Sequence, residues 1–323
     1  MKTVVIANPR AGGGKVGRRW PRLQAAIGAA LGPADVRFTE GPGDATTLTR
    51  RALGDGVERV LVVGGDGTVN EAVNGFFGAD GRSLAPDAVL GVIPAGTGGD
   101  FARSVGLGDL SAERLLAEAT VAPADVGRAE YVAHDGKVAT RYFLNISSLG
   151  SSGLIVDMVN HTTKRFGAKA SFLWGTVKGL LRYENQPMRV TVDGEAHEGL
   201  VNIVAVANGR YFGGAMKVAP GALIDDGLFD VVIVGDIGLA TFLGVSRKLY
   251  RGEHLGHPRI RVFQAREVSV ETTGKERVLL DLDGEQPGQL PVSYRILPAA
   301  LKLMVPWSRA EATAQRAVDR RVS

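Results

Sequence analysis

The chain has 323 residues, enough for two domains, and its 45% apolar and 22% charged residues exclude an extensively disordered protein. Cysteine is absent, which removes disulfides and thiolate chemistry and agrees with a reducing cytoplasm. Lys and Arg (38) outnumber Asp and Glu (34), and no basic-aromatic nucleic-acid motif accompanies that mild excess, so anionic small molecules and acidic lipid surfaces are expected as partners and nucleic acid is not.

MKTVVIANPR is too short in apolar residues for a secretory leader and reads as a first buried strand, Thr3 to Ala7. A helical stretch follows over Arg18 to Leu31, then a strand over Val36 to Phe38 and a helix over Ala45 to Leu53. Val60 to Val63 is a buried strand, Thr68 to Phe77 a helix and Val89 to Ile93 another strand. Helices near Phe101 and over Ala112 to Ala119 close this part. Strands alternating with helices imply a parallel sheet covered on both faces.

After Pro123 the pattern becomes short and β-rich: Tyr142–Ile146, Met188–Val192, Val201–Val206, Phe229–Val234, Arg259–Phe263 and Glu267–Glu271, with turn pairs at Asp193-Gly194, Asn208-Gly209, Asp226-Gly227 and Asp283-Gly284. The expected fold is an α/β, doubly wound nucleotide-binding domain followed by an antiparallel β-sandwich. The boundary falls near 122–127, giving domains at 1–124 and 125–297, with 298–308 returning to the first and 309–323 as a tail. The longest apolar stretch, Leu228 to Val245, is interrupted by Asp230, Asp236 and glycines, so no uninterrupted membrane span of roughly 20 residues is read.

Three glycine-rich loops follow successive candidate strands. The first is Asn8-Pro9-Arg10-Ala11-Gly12-Gly13-Gly14-Lys15, the second Gly64-Gly65-Asp66-Gly67-Thr68, the third Pro94-Ala95-Gly96-Thr97-Gly98-Gly99-Asp100. Consecutive glycines let backbone N–H groups converge on phosphate, and a helix N-terminus adds its own donors. Lys15 and Arg10 bring positive charge, whereas Asp66 is suited to Mg²⁺ or a substrate hydroxyl. One such loop is ordinary; three at the carboxyl ends of parallel strands point to a nucleotide. The first loop lacks the Walker A spacing, and none carries the dinucleotide fingerprint.

The run Gly64-Gly65-Asp66-Gly67-Thr68-Val69-Asn70-Glu71, with Asn74-Gly75 and Pro94-Ala95-Gly96-Thr97, resembles the catalytic domain of diacylglycerol kinases, a family related to sphingosine kinases. Ala207-Asn208-Gly209 with Gly213-Gly214, the segment Ala219-Pro220 to Leu228, and Leu282-Asp283-Gly284-Glu285 extend the resemblance to roughly residues 2–306. It implies an ATP-dependent, Mg²⁺-dependent lipid kinase acting on diacylglycerol or a related lipid alcohol. It places ATP contacts on Asn8, Thr39, Gly64, Gly65, Asp66, Gly67, Thr68, Asn70 and Thr97, and a structural Mg²⁺ on Asp226 with the carbonyls of Leu223 and Leu228. From the loop chemistry Lys15 and Gly96 join the nucleotide contacts. The general base is carried to Asp283 or Glu285, and Asp66 is expected to organise the catalytic metal. In one segment, Asn145 to Gly153, serines stand where the family often has an acid after the glycine.

Without those motifs Asp225-Asp226-Gly227 and Asp283-Gly284 read as plain hairpin turns, and the five histidines, lacking metal-ligand spacing, as surface residues. Residues 164–183 mix Lys and Arg with Phe172, Leu173, Trp174, Leu180 and Leu181, a pattern equally fit to dock on an anionic membrane surface or to cover a sheet. The expected location is cytoplasmic, peripheral to the inner membrane face; the assembly state is left open, a homodimer included. The competing functions are an NAD kinase, sharing the GGDGT turn, and a non-catalytic nucleotide or lipid sensor.

Overall fold

A computed structural model describes residues 1–78, 80–95, 99–108, 110–152, 184–238, 241, 244–245 and 248–306. Strands β1 (Thr3–Ala7), β2 (Asp35–Phe38), β3 (Arg59–Gly64) and β4 (Val89–Pro94) form a parallel sheet in the order β2-β1-β3-β4. Residues Val4–Ala7, Val60–Val63 and Leu90 have no more than traces of exposed surface, as near-continuous apolar strands covered on both faces should. The covering helices are α1 (Ala11–Leu31), α2 (Asp44–Gly54), α3 (Asp66–Gly75), α4 (Asp100–Ser104) and α5 (Ala112–Glu118). Gly12, Gly13 and Gly14 break the start of α1 with φ of +61°, +69° and +80°, so its regular part begins at Lys15.

Most of the remainder is antiparallel: β5 (Thr120–Ala133), β6 (Val138–Phe143), β7 (Ile146–Gly150), β8 (Gln186–Val192), β9 (Glu195–Ala207), β10 (Phe229–Gly235), β11 (Ile260–Ala265), β12 (Glu267–Thr272), β13 (Leu279–Leu282) and β14 (Glu285–Val305). The 21-residue β14 joins the two halves. It forms a hairpin with β13, pairs with β12 and along most of β5, and ends parallel to β4 with Lys302 opposite Val89 and Leu303 opposite Leu90. Its burial records this change of surroundings. Leu290, Val292, Tyr294 and Ile296 alternate inward against the sandwich core, and Leu301, Leu303, Met304 and Val305 enter the α/β core.

The segment 122–127, read as a boundary from Pro123, lies inside β5, where Pro123 sits opposite Lys302. The single Tyr142–Ile146 strand is divided into β6 and β7 by Leu144 and Asn145, whose N–H groups serve the carboxylate of Asp283. The sandwich core centres on Phe143, stacked on Phe229 at 5.7 Å and edge-on to Tyr294 at 6.1 Å. His254 departs from the surface reading: it is 1% exposed and hydrogen-bonded to the Val218 carbonyl, and its burial holds its pKa below the usual histidine value. Among the described residues no helix is long and apolar enough to cross a membrane. Residues 164–183 and 309–323 lie outside the described residues.

Candidate active site

The glycine loops meet at the carboxyl end of the parallel sheet. After β1, the Asn8 N–H donates to Val63 O (2.9 Å) and its Nδ2 donates to Thr68 Oγ1 (3.1 Å), tying the first loop to the second. The Ala95 N–H donates to Gly64 O at 2.8 Å, tying the third loop to the second. Gly12 closes the ring, because a Cβ there would stand 2.5 Å from Ala95 O. Thr39, 7% exposed after β2, donates its N–H to Ala7 O. Lys15 is exposed at the head of the regular part of α1. Gly96 and Thr97 lie outside the described residues, between the described Ala95 and Gly99.

Helix α3 begins at Asp66 with no side-chain cap, and its first intrahelical bond runs from Val69 N to Gly65 O. The N–H groups of Asp66, Gly67 and Thr68 therefore lack helical acceptors and create an anion-favouring end. Gly64 admits Thr68: a Cβ on it would come within 2.7–3.0 Å of that side chain. The Asp66 carboxylate turns toward α4, accepting from the N–H groups of Asp100 (3.2 Å) and Phe101 (3.4 Å). Burial raises its pKa and the charge of Asp100 adds to that, against the lowering effect of these bonds.

Opposite α3 stands the β13–β14 hairpin. Asp283 (φ +50°) and Gly284 (φ +89°) are its two turn residues. The Asp283 carboxylate is fully engaged: Oδ1 accepts from Asn145 N (3.1 Å) and Ile146 N (3.0 Å), Oδ2 from Leu144 N (3.1 Å) and Asn70 Nδ2 (3.0 Å). Burial pushes its pKa up to about 6 while those bonds pull it down and the charge of Asp66 pushes it further up. Glu285 differs. It is exposed, its carboxylate accepts no hydrogen bond and makes no ion pair among the described residues, and its Oε1 lies 3.1 Å from where a Cβ on Gly67 would be.

Asn70, 1% exposed, is committed to joining the halves of the molecule. Its Nδ2 donates to Tyr142 O and Asp283 Oδ2, and its Oδ1 accepts from Arg141 Nε (2.9 Å). A second junction, not foreseen from the motifs, runs through Asp100 and Ser104. The Asp100 carboxylate accepts from Gly214 N and Ala215 N, both at 2.8 Å, and pairs with Arg103 at 2.8 Å. Ser104 Oγ donates to Asn145 Oδ1 (3.0 Å) and accepts from Arg210 N (3.1 Å). Gly213, Gly214 and Ala215 all have positive φ, a backbone path that brings successive N–H groups round to one acid; the Gly213-Gly214 pair was its sequence signal.

The serine segment is internal. Ser147 bonds to Asp281 O and Tyr294 Oη, Ser148 to Asp281 Oδ2, Ser151 to Asn202 Oδ1 and Ser152 to Leu149 O, all in buried positions. Asp281 beneath them is held well above the usual carboxylate range by burial, with the charge of Asp283 adding.

Leu223, Asp226 and Leu228 lie on the loop before β10. Asp125 on β5 anchors that loop, accepting from Gly227 N (2.6 Å) on one oxygen and Ala299 N (2.7 Å) on the other. Asp226 Oδ1 accepts from Leu228 N. Next to it Asp230, 6% exposed, keeps a buried Oδ2 with no hydrogen-bond partner. Burial and then the Asp226 charge push the Asp230 carboxyl up to about 6. Two close acids with one oxygen orphaned form a donor set that a hard divalent cation fits.

These features define a two-domain kinase fold, with nucleotide loops on an α/β sheet facing a β-rich half. Residues 2–129 match the diacylglycerol kinase catalytic domain, and residues 145–305 match the YegS C-terminal NAD kinase beta sandwich-like domain. The diacylglycerol kinase of Bacillus subtilis (strain 168) is 32% identical over 273 residues, covering 83% of this chain and 84% of that one. That of Staphylococcus carnosus (strain TM300) is 29% identical over 304 residues, 94% of both chains. A crystal structure from Bacillus anthracis str. Sterne, of a protein described as a candidate diacylglycerol kinase, superposes with a TM-score of 0.74 at 28% identity, over 96% of this chain and 98% of that one. Yeast NADH kinase complexed with NADH shares the fold alone, with a TM-score of 0.52 at 11% identity over 95% and 84% of the two chains. The chain belongs to the diacylglycerol kinase family. It is a kinase and takes a nucleotide substrate.

Proposed function

We propose that the protein transfers the γ-phosphoryl group of ATP to the hydroxyl of diacylglycerol or a closely related lipid alcohol, with Glu285 as general base and Mg²⁺ required. The observation that carries this reading is the position of Glu285: an unengaged carboxylate against Gly67, at the uncapped end of α3 where the phosphate loops meet. Asp283, the other acid of the turn, has all its bonding directed to the protein and so positions the hairpin.

In the reaction, N–H groups of the first loop and of the α3 terminus grip the triphosphate, with Lys15 adding charge. Glu285 takes the proton of the lipid hydroxyl as its oxygen bonds to the γ-phosphorus. The bond from that phosphorus to the bridging β-phosphate oxygen breaks, and ADP leaves with the electron pair. Mg²⁺ bound with the nucleotide would neutralise charge on the phosphate oxygens, with Asp66 as the acid placed to organise it. A second ion would be held by Asp226 with the Leu223 and Leu228 carbonyls, and would relieve the repulsion between the charges of Asp226 and Asp230. Asp66 also fixes the third loop by holding the start of α4. We assign docking on an anionic bilayer to the basic and apolar residues 164–183.

The test is incubation with γ-labelled ATP, with and without Mg²⁺, against dioctanoylglycerol, sphingosine and NAD. Label on dioctanoylglycerol only with Mg²⁺ is the expected result; label on NAD, or on none of the three, overturns the reading.

A further inference from the structure

Arg141 lies on β6, which among the described residues pairs only with β5, opposite Ala129. Its half-buried side chain is fastened at one point, Nε donating to Asn70 Oδ1 at 2.9 Å. Among the described residues no carboxylate lies within 4.0 Å of the guanidinium and no acceptor takes its Nη1 or Nη2. Neither Nη belongs to the buried atoms without partners, so the two-pronged end reaches solvent.

Its surroundings are catalytic. Asn70 is one helical step (i, i+3) from Gly67, so the two share a face of α3. The same amide that receives Arg141 on its oxygen donates from its nitrogen to Asp283, two residues before Glu285. The cation thus sits beside the acid hairpin, on the helix face that Glu285 overlooks. A merely structural donor would have no need of charge here, since Asn74 Nδ2 also reaches Asn70 Oδ1 at 3.4 Å. Holding an arginine by Nε leaves its two Nη groups presented as a preset fork, the geometry that matches two oxygens of a phosphate.

Resting on the kinase reading above, we propose that Arg141 binds the phosphoryl group as it reaches the acceptor, and therefore holds the phosphomonoester of the lipid product. Lipid alcohol carries no such oxygens, so Arg141 discriminates product and transition state from substrate.

The experiment compares wild type, Arg141→Lys and Arg141→Gln, each checked for an unchanged thermal midpoint. Turnover of dioctanoylglycerol and binding of dioctanoyl phosphatidate by calorimetry are measured in parallel. Loss of one charge-assisted fork corresponds to about tenfold to a hundredfold weaker phosphatidate binding in Arg141→Gln. The expected kcat loss is about tenfold or more, with KM for dioctanoylglycerol and ATP nearly unchanged. Arg141→Lys keeps the charge and loses the fork, and is expected to recover only part of both. Equal phosphatidate affinity in all three proteins overturns the inference, as does a loss confined to KM or one that merely follows a lowered thermal midpoint. Wild-type turnover reports separately on the lipid kinase reading, because phosphatidate binding needs no turnover.

Discussion

Glu285 and Gly67, 218 positions apart in the chain, are so close that a methyl group on the glycine would stand 3.1 Å from the carboxylate Oε1. Gly67 lies in the first turn of α3 without a left-handed φ, so alanine is conformationally acceptable there. Gly67→Ala should leave the thermal midpoint equal or higher, alanine favouring a helix by up to about 1 kcal/mol over glycine. Its kcat should fall about tenfold or more, because the base is pushed from its station. A fully active Gly67→Ala enzyme would place the chemistry elsewhere.

The two acids of the hairpin should separate in mutagenesis. Glu285→Gln removes a group with no protein partner, so stability should hold while kcat drops by roughly 10²–10⁴ for loss of a general base. Asp283→Asn instead puts an amide where backbone N–H donors converge, and about 1–3 kcal/mol of stability should be lost for each donor left unpaired. Equilibrium urea unfolding and steady-state kinetics on both variants decide the matter.

Asp283 also has a pH signature. Its folded pKa, raised by burial to about 6 from an ordinary value near 3.8, means that the folded chain binds this proton more tightly than the unfolded chain. Stability from this group therefore falls as pH rises from about 4 to about 6 and is flat above that. The advantage of wild type over Asp283→Asn in thermal midpoint should grow as pH is lowered from about 6.5 to 4.5. A constant or shrinking difference would show that the four hydrogen bonds outweigh burial.

Gly12→Ala should injure nucleotide binding more than folding. A Cβ there meets the backbone oxygen of Ala95 at 2.5 Å, which cannot swing aside as a flexible side chain would, and the φ of +61° adds strain. The third loop must shift. The expected outcome is a rise of about tenfold or more in the Kd for ATP by calorimetry, with the sandwich core unaffected.

Asp100→Ala leaves the N–H groups of Gly214 and Ala215 without their acceptor. Hydrogen exchange at these two amides should accelerate by at least about tenfold, corresponding to the loss of roughly 1.4 kcal/mol or more of local stability. Exchange rates unchanged from wild type would mean that the 213–215 turn holds itself.

Much of this protein is written along the chain. Apolar runs alternating with amphipathic stretches determine β1, β3, β4 and their helices, because burial on both faces demands unbroken apolar strands. Glycines at 12–14 mark the first loop through their left-handed φ, and Gly64 marks the second because a Cβ there would strike the Thr68 side chain. The tertiary structure alone decided how β14 is used: its inward alternation near Tyr294 and its double burial near Leu303 belong to two cores, and no local period announces a strand that changes surroundings. It also gave Asp283 and Glu285, two carboxylates of one hairpin, different surroundings, the first hydrogen-bonded to the protein and the second not. Which of them is engaged depends on N–H groups from 144–146 and an amide from residue 70, and hydrogen bonds across such separations exist only once the chain has folded.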